Sequence, residues 1–197
     1  MPSRVRKVQP AESKLTLTSP PGTDEGRRIL DRALTSDPET GVLQLSGNRC
    51  MIVRPEVLVN IQKQLESTIG SSAKGVMYLA GERSSHIGLT SVDATSRGPL
   101  TLKNAQRVID SSALMGWGRT QIIRFDMESS RFGLRIRNSP IAVAYGSSTK
   151  PVCHFIAGWA AGVACAILGR DILCEETGCV AQGHEHCEFD LHPTHSP

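Results

Sequence analysis

Between residues 41 and 55 the segment GVLQLSGNRCMIVRP sets Leu43 and Leu45, then Cys50 and Ile52, on alternate positions around a Ser-Gly-Asn turn. Period-two spacing on both sides of such a turn predicts a β-hairpin. The next segment, PEVLVNIQKQLESTIG, spaces Leu58, Ile61, Leu65 and Ile69 helically, opens on Pro55 and closes on Gly70. A helix with a glycine C-cap is therefore predicted. A second helix follows over SAKGVMYLAGERSSHIG, capped by Ser71 or Ser72. A third runs from about Leu102 to Met115 behind Thr101 as cap, with Leu102, Ala105, Val108 and Ile109 on one side. Upstream, GRRILDRALT reads as a short helix or lead-in.

The period returns to two in QIIRFDMESSRFGLRIRNS, where Ile123, Phe125 and Met127 precede Phe132, Leu134 and Ile136 around Glu128-Ser129-Ser130. This predicts a second hairpin. KPVCHFIAGWAAGVACAILGRD is the most apolar stretch, a helix expected from Pro151 to Leu168 and ended by Gly169. Gly158 and Gly162 lie four apart on one of its faces, a spacing that lets another backbone approach closely. DILCEETGCVAQGHEHCEFDL then makes a third hairpin, with a strand ending near Glu176, a turn about Gly183 and a strand through Cys187 and Phe189. Hairpins alternating with helices imply an α+β fold, an antiparallel sheet with packed helices. Residues 1–25, rich in Pro, Ser, Thr and charge, are expected to be a disordered leader, leaving 26–192 as a single domain.

Composition narrows the function classes. A chain of 197 residues with 39% hydrophobic and 21% charged residues can bury a core without covalent staples. The formal charge is only +3, and Arg4, Arg6 and Lys7 crowd the N-terminus, so no basic stripe on a folded face suggests direct nucleic-acid binding. The N-terminal basic residues have no apolar run behind them, which excludes a secretory signal. No stretch approaches the roughly 18 apolar residues of a membrane span. A cytoplasmic protein is expected, and there clustered cysteines more often bind metal or catalyse than form disulfides.

The cluster is CEETGCVAQGHEHCEFD, residues 174–190, with three cysteines, five carboxylates and two histidines. A hairpin through it can bring Glu176, Cys179 and Cys187 to one end. Cys153, at the start of the apolar helix, offers a fourth donor where the helix N-terminus favours a thiolate. Three thiolates and a carboxylate suit Zn²⁺ better than Mg²⁺ or Ca²⁺. Cys174, Glu175, His184 and His186 are chemically acceptable replacements, and spacing alone does not choose among them. Cys165 and Cys50 read as packing residues.

The segment CHFIAGWAAGVACAILGRDILCEETGCVAQGHEHCEF resembles the signature of the 4-vinyl reductase domain family. The shared pattern is a Cys opening a Gly-x-x-x-Gly helix, a Glu, a Cys three residues later, a Gly, and a Cys-x-Phe end. GVLQLSGNRCMIVRPEVLVNIQKQLESTIG and RIRNSPIAVAYG also resemble the effector-sensing domain of aromatic-responsive bacterial transcription activators. The resemblance covers most of residues 40–191. It implies a structural zinc on Cys153, Glu176, Cys179 and Cys187, with no catalytic residue. It also implies a fold similar to the ligand-binding domains of nitric-oxide signalling and to small subunits of the transport-particle tether. On that fold an apolar pocket is expected, with Trp159, Phe155, Ile136, Trp117 and Tyr78 as candidate lining residues.

Phenol and toluene sensors of this kind carry a Trp shortly before the Asn-Ser of the second hairpin, where this chain has Ile136, so a more apolar ligand than phenol is expected. No Gly-x-x-x-x-Gly-Lys loop, ATPase module or helix-turn-helix is present in the sequence. The expected role is a stand-alone sensory module for a hydrophobic or aromatic molecule, a homodimer acting through a signalling partner. Two alternatives follow from the same resemblance: tetrapyrrole metabolism, as reductase or pigment carrier, and a structural adaptor of the tether type.

Overall fold

The computed structural model describes residues 23–91 and 102–194. Helix α1 (Thr23–Ala33) leads into a three-stranded antiparallel sheet of β1 (Leu34–Asp37), β2 (Val42–Leu45) and β3 (Asn48–Cys50). The hairpin expected from residue 41 onward is β2–β3, and Ser46 (φ 50°) with Gly47 (φ 80°) forms its turn. Paired positive φ values match the right-handed twist of the strands. Two features differ from the sequence expectation. The helix opens at Thr23, inside the stretch assigned to the leader. The extra strand β1 takes over at Leu34, where the sequence continues a helical spacing. Pairing with β2 in register Leu34↔Leu45 decides the matter for that residue. The remainder of the expected leader, residues 1–22, lies outside the described residues.

Helix α2 (Pro55–Ile69) starts on proline and ends at Gly70 (φ 59°), whose N–H returns to Glu66 O. Helices α3 (Ala73–Ser91) and α4 (Leu102–Leu114) follow; the expected Thr101 cap lies outside the described residues. Strands β4 (Arg119–Asp126) and β5 (Arg131–Arg137) form the second hairpin, and β6 (Ile172–Gly178) and β7 (Cys187–Pro193) the third. These four make one antiparallel sheet in the order β4-β5-β7-β6. Helix α6 (His154–Leu168) packs on β6 and, most extensively, on α3.

Alternation in β5 turns Phe132, Leu134 and Ile136 inward, where they join Cys187, Phe189 and Leu191 of β7 and Ile172 and Cys174 of β6 in the core. Burying a side chain such as Phe189 stabilises the fold by roughly 1.5–3 kcal/mol. The outer face is charged. Arg135 Nε donates to Glu188 Oε1 at 2.8 Å, and Arg124 pairs with Asp190 by passing over Gly133. One solvated and one buried face is the usual antiparallel arrangement.

The small-residue face of α6 has its predicted use. A Cβ on Gly158 would collide with the Tyr78 carbonyl, and one on Gly162 with Glu82 O at 2.6 Å. Gly81 of α3 answers in kind, lying against Phe155 O. The two backbones therefore approach more closely than any larger residue allows.

Candidate metal centre

Helix α6 begins at His154, three residues later than expected, and Cys153 is its N-cap. Cys153 keeps a non-helical backbone (φ −86°, ψ 39°), and its N–H, which has no acceptor within the helix, donates to Glu176 Oε2 of β6 at 2.8 Å. Glu176 points inward because it alternates with exposed Glu175 and pairs with buried Phe189. After Gly178 the chain leaves β6, and Cys179 N-caps a short 3₁₀ turn, Val180–Gln182, that reverses it towards Cys187.

The four donor atoms of Cys153, Glu176, Cys179 and Cys187 lie within 4.8 Å of one another. Cys153 Sγ is 3.7 Å from Cys187 Sγ, which is 3.9 Å from Cys179 Sγ. A tetrahedral zinc with Zn–S bonds of about 2.3 Å separates its sulfurs by about 3.8 Å. All three cysteines are 0% exposed. Glu176 Oε1 is buried without a hydrogen-bond partner. An orphaned carboxylate oxygen beside three buried sulfurs costs free energy unless a cation sits among them.

Protonation tells the same story. Without a metal, hydrogen bonds from Cys153 and Cys187 hold the Cys179 thiol far below its ordinary range. The bond to Cys179 drives Cys153 far above it. Burial first, then the neighbouring Cys179, pushes Glu176 up to about 8. The site without a cation can ionise only in part, and a divalent cation would let the whole set ionise. The residues present fit Zn²⁺. Around them, Ser139 Oγ lies 3.3 Å from Cys153 Sγ, and Val180 N donates to Cys187 Sγ at 3.4 Å, contacts that orient sulfur ligands. Ser139 also caps α5 (Pro140–Tyr145), a helix signalled by Ser-Pro in the sequence but not singled out there.

The sequence alternatives fall elsewhere. Cys174 is buried opposite Leu191, its thiol pushed up by burial, and its N–H donates to Tyr78 Oη at 3.0 Å. Glu175 and His184 are exposed, and His186 lies 3.3 Å from Glu185. Cys165 Sγ accepts from Ile172 N at 3.2 Å, and half-buried Cys50 faces Leu43 across β2–β3.

A second feature is a cavity of about 80 Å³ between α4, α6 and the sheet. Ile109, Ile122, Phe125, Phe132, Leu134, Trp159, Val163 and Leu191 are among its walls, all apolar. Trp159 was a sequence candidate for this role. Ile136 is buried in the core, Trp117 and Phe155 stack on each other at 5.7 Å, and Tyr78 braces β6. Phe125, Phe132 and Leu134 were visible as strand residues, but only their convergence with α4 and α6 marks them as walls. Cavity and cysteine cluster occupy opposite ends of one strand pair: Ile136↔Cys187 at one end, Phe132↔Leu191 at the other. Four residues of strand separate them by about 13 Å.

Residues 132–193 match the V4R domain family. Over 173 residues, 82% of the chain, the sequence is 25% identical to the phenol regulator MopR of Acinetobacter guillouiae, and it spans 30% of that protein's length. The structure resembles the phenol-responsive sensory domain of the transcription activator PoxR, solved with phenol, at a TM-score of 0.67 and 23% identity, covering 86% of this chain and 89% of that one. It also resembles subunit 3 of a trafficking protein particle complex from Naegleria fowleri, covalently bound to palmitic acid, at a TM-score of 0.54 and 11% identity, with 72% and 96% covered. These two likenesses establish the fold expected from the sequence.

Proposed function

We propose that this chain, a V4R-domain protein by its residues 132–193, is a sensory domain that binds a compact apolar molecule in the α4–α6 cavity and reports it to a partner protein. The observation that carries this reading is the cavity, whose described lining residues are all apolar. Such a site selects by shape and desolvation. Its similarity to a phenol regulator and a phenol-responsive domain supports an aromatic ligand. The absence of a polar wall among the described residues favours a hydrocarbon ring over a phenol, because a buried hydroxyl without a partner is penalised. An apolar cavity of roughly 150 Å³ is known to take benzene. At about 80 Å³ this one suits a single ring, with side-chain adjustment, better than a tetrapyrrole macrocycle.

Zinc on Cys153, Glu176, Cys179 and Cys187 has a structural role in this reading: four protein donors complete a tetrahedron and leave no position for a reacting water. The metal ties the cap of α6 to the β6–β7 connection, and α6 carries Trp159 and Val163 into the cavity wall. A cytoplasmic location, where thiols stay reduced, fits this reading. Among the described residues no helix is long and apolar enough to cross a membrane. A homodimer is the assembly that the resemblance implies for this reading.

Calorimetric titration of the zinc-loaded protein with toluene, benzene and phenol tests the reading, with a Val163→Trp variant that fills the cavity as control. Toluene is expected to bind the natural protein and not the variant. Absence of binding by every single-ring compound, or equal binding by the variant, would sink it.

A further inference from the structure

From the junction of α4 with the sheet we infer that Gln106 limits the size of molecule the cavity admits, by latching α4 to the edge of β4. This rests on the sensory reading above and adds to it which wall yields and what holds that wall. β4 is the outer strand in the order β4-β5-β7-β6, so one row of its backbone groups has no neighbouring strand. Gln106 of α4 supplies what such a strand would. Its Nε2 donates to Thr120 O at 3.0 Å, and its Oε1 accepts from Ile122 N at 2.9 Å. One side-chain amide thus pairs with two residues on the same edge, as one residue of a parallel strand does. Nε2 also donates to Asp110 Oδ1 at 2.8 Å, one helical turn further on, which fixes the amide plane.

The latch sits at the rim of the cavity. Ala105 and Ile109, its neighbours on α4, are cavity walls, and so are Ile122 and Phe125 of β4. Just past Ile122 the pairing of β4 with β5 slips at Ile123. Gln106 therefore grips the last regular position of the edge before the bulge.

Of the three walls, α4 is the least fastened. α6 is locked to α3 backbone against backbone at Gly158 and Gly162. The strands are tied to one another by their ladders. Among the described residues the substantial packing of α4 is on β4 alone. Elements with few contacts open at the lowest free energy. At about 80 Å³ the cavity is smaller than the roughly 150 Å³ that takes benzene, so a wall has to give even for one ring. α4 gives, and the Gln106 bonds set how far. One ring is accommodated with the amide in place. Two fused rings require α4 to leave the strand edge, and the hydrogen bonds lost there count against them.

Gln106→Leu and the milder Gln106→Asn, one methylene too short to reach both partners, are to be compared with the natural protein and with Gln121→Leu, an exposed change on the same strand. All four are zinc-loaded full chains, and unchanged zinc content and far-ultraviolet circular dichroism verify folding. Amide hydrogen exchange at Ile122 is read without ligand, and toluene and naphthalene affinities are read by calorimetry. Exchange at Ile122 is expected to be about tenfold faster or more in both Gln106 variants and unchanged in Gln121→Leu. The preference for toluene over naphthalene is expected to fall about tenfold or more in the Gln106 variants, with toluene affinity nearly constant. Unaltered exchange at Ile122, or the natural toluene-to-naphthalene ratio retained in the Gln106 variants, overturns the latch and leaves the sensory reading standing. A natural protein that binds neither compound overturns that reading and the size limit together.

Discussion

The backbone N–H of Cys153 reaches Glu176 Oε2 at 2.8 Å, so the N-cap of α6 is fastened to β6 before any metal is considered. A metal bound at this point would clamp a helix to a hairpin, and its removal would loosen a joint in the core.

Cys179→Ser is expected to remove zinc and to cost about 4 kcal/mol or more of stability, in the range of lost structural metals. Elemental analysis and thermal unfolding measure both. Full zinc retention would refute the assignment of Cys179 as a ligand. Glu176→Gln preserves the shape and the bond from Cys153 N while removing the charge, and it should weaken zinc without emptying the site at saturating metal.

Zinc and pH are coupled with a definite sign. In the metal-free protein the Glu176 carboxyl titrates at about 8 against an ordinary 4.5. A raised value of this kind contributes stability that is complete below about pH 4.5 and lost as pH rises through about 8. Bound metal requires the ionised form, so acid opposes it. The gap in melting temperature between zinc-loaded and chelator-treated protein should therefore be wider at pH 8.5 than at pH 5.5. Equal gaps would count against Glu176 as a ligand.

Gly158→Ala drives a methyl group into the Tyr78 carbonyl, a backbone atom that cannot swing away. Overpacking of this sort costs about 1–3 kcal/mol. The urea midpoint should fall accordingly, and a neutral substitution would show that α3 and α6 are not locked together.

Gln62 is 1% exposed, and its Nε2 donates to Val152 O at 3.1 Å and to Glu66 Oε1 at 2.9 Å. Glu66 in turn accepts from Tyr145 Oη at 2.6 Å. This network holds α2 against the residue preceding Cys153. Gln62→Leu leaves the Val152 carbonyl unpaired and should cost about 1–3 kcal/mol. Chemical denaturation with zinc held constant reads the loss, and an unchanged midpoint would remove Gln62 from the support of the clasp.

Much of this was legible in the residues. Pro55 and Gly70 bounded α2, alternation marked β4–β5 and β6–β7, and the soft, anionic donor set pointed to zinc. Local signals of this kind act over a few residues and need no partner. Other features had no local signal. Leu34 belongs to a strand because Leu45 is opposite it, and the Cys153 N–H at the start of α6 finds its acceptor in Glu176, 23 residues along the chain.

Donor chemistry, helix caps and strand alternation are short-range properties, and the sequence by itself determined them. Which donors meet, and which apolar residues surround a cavity instead of filling it, depends on contacts between residues far apart in the chain. Cys174 shares an inward strand face with Glu176, yet it faces Leu191 and Tyr78. Phe132 and Ile136 share an inward face too, but one meets α4 and α6 at the cavity and the other closes the core beside Cys187. Only the packing of α6 and α4 across the sheet separates these roles, because side-chain type is the same on either side of a decision made by distance.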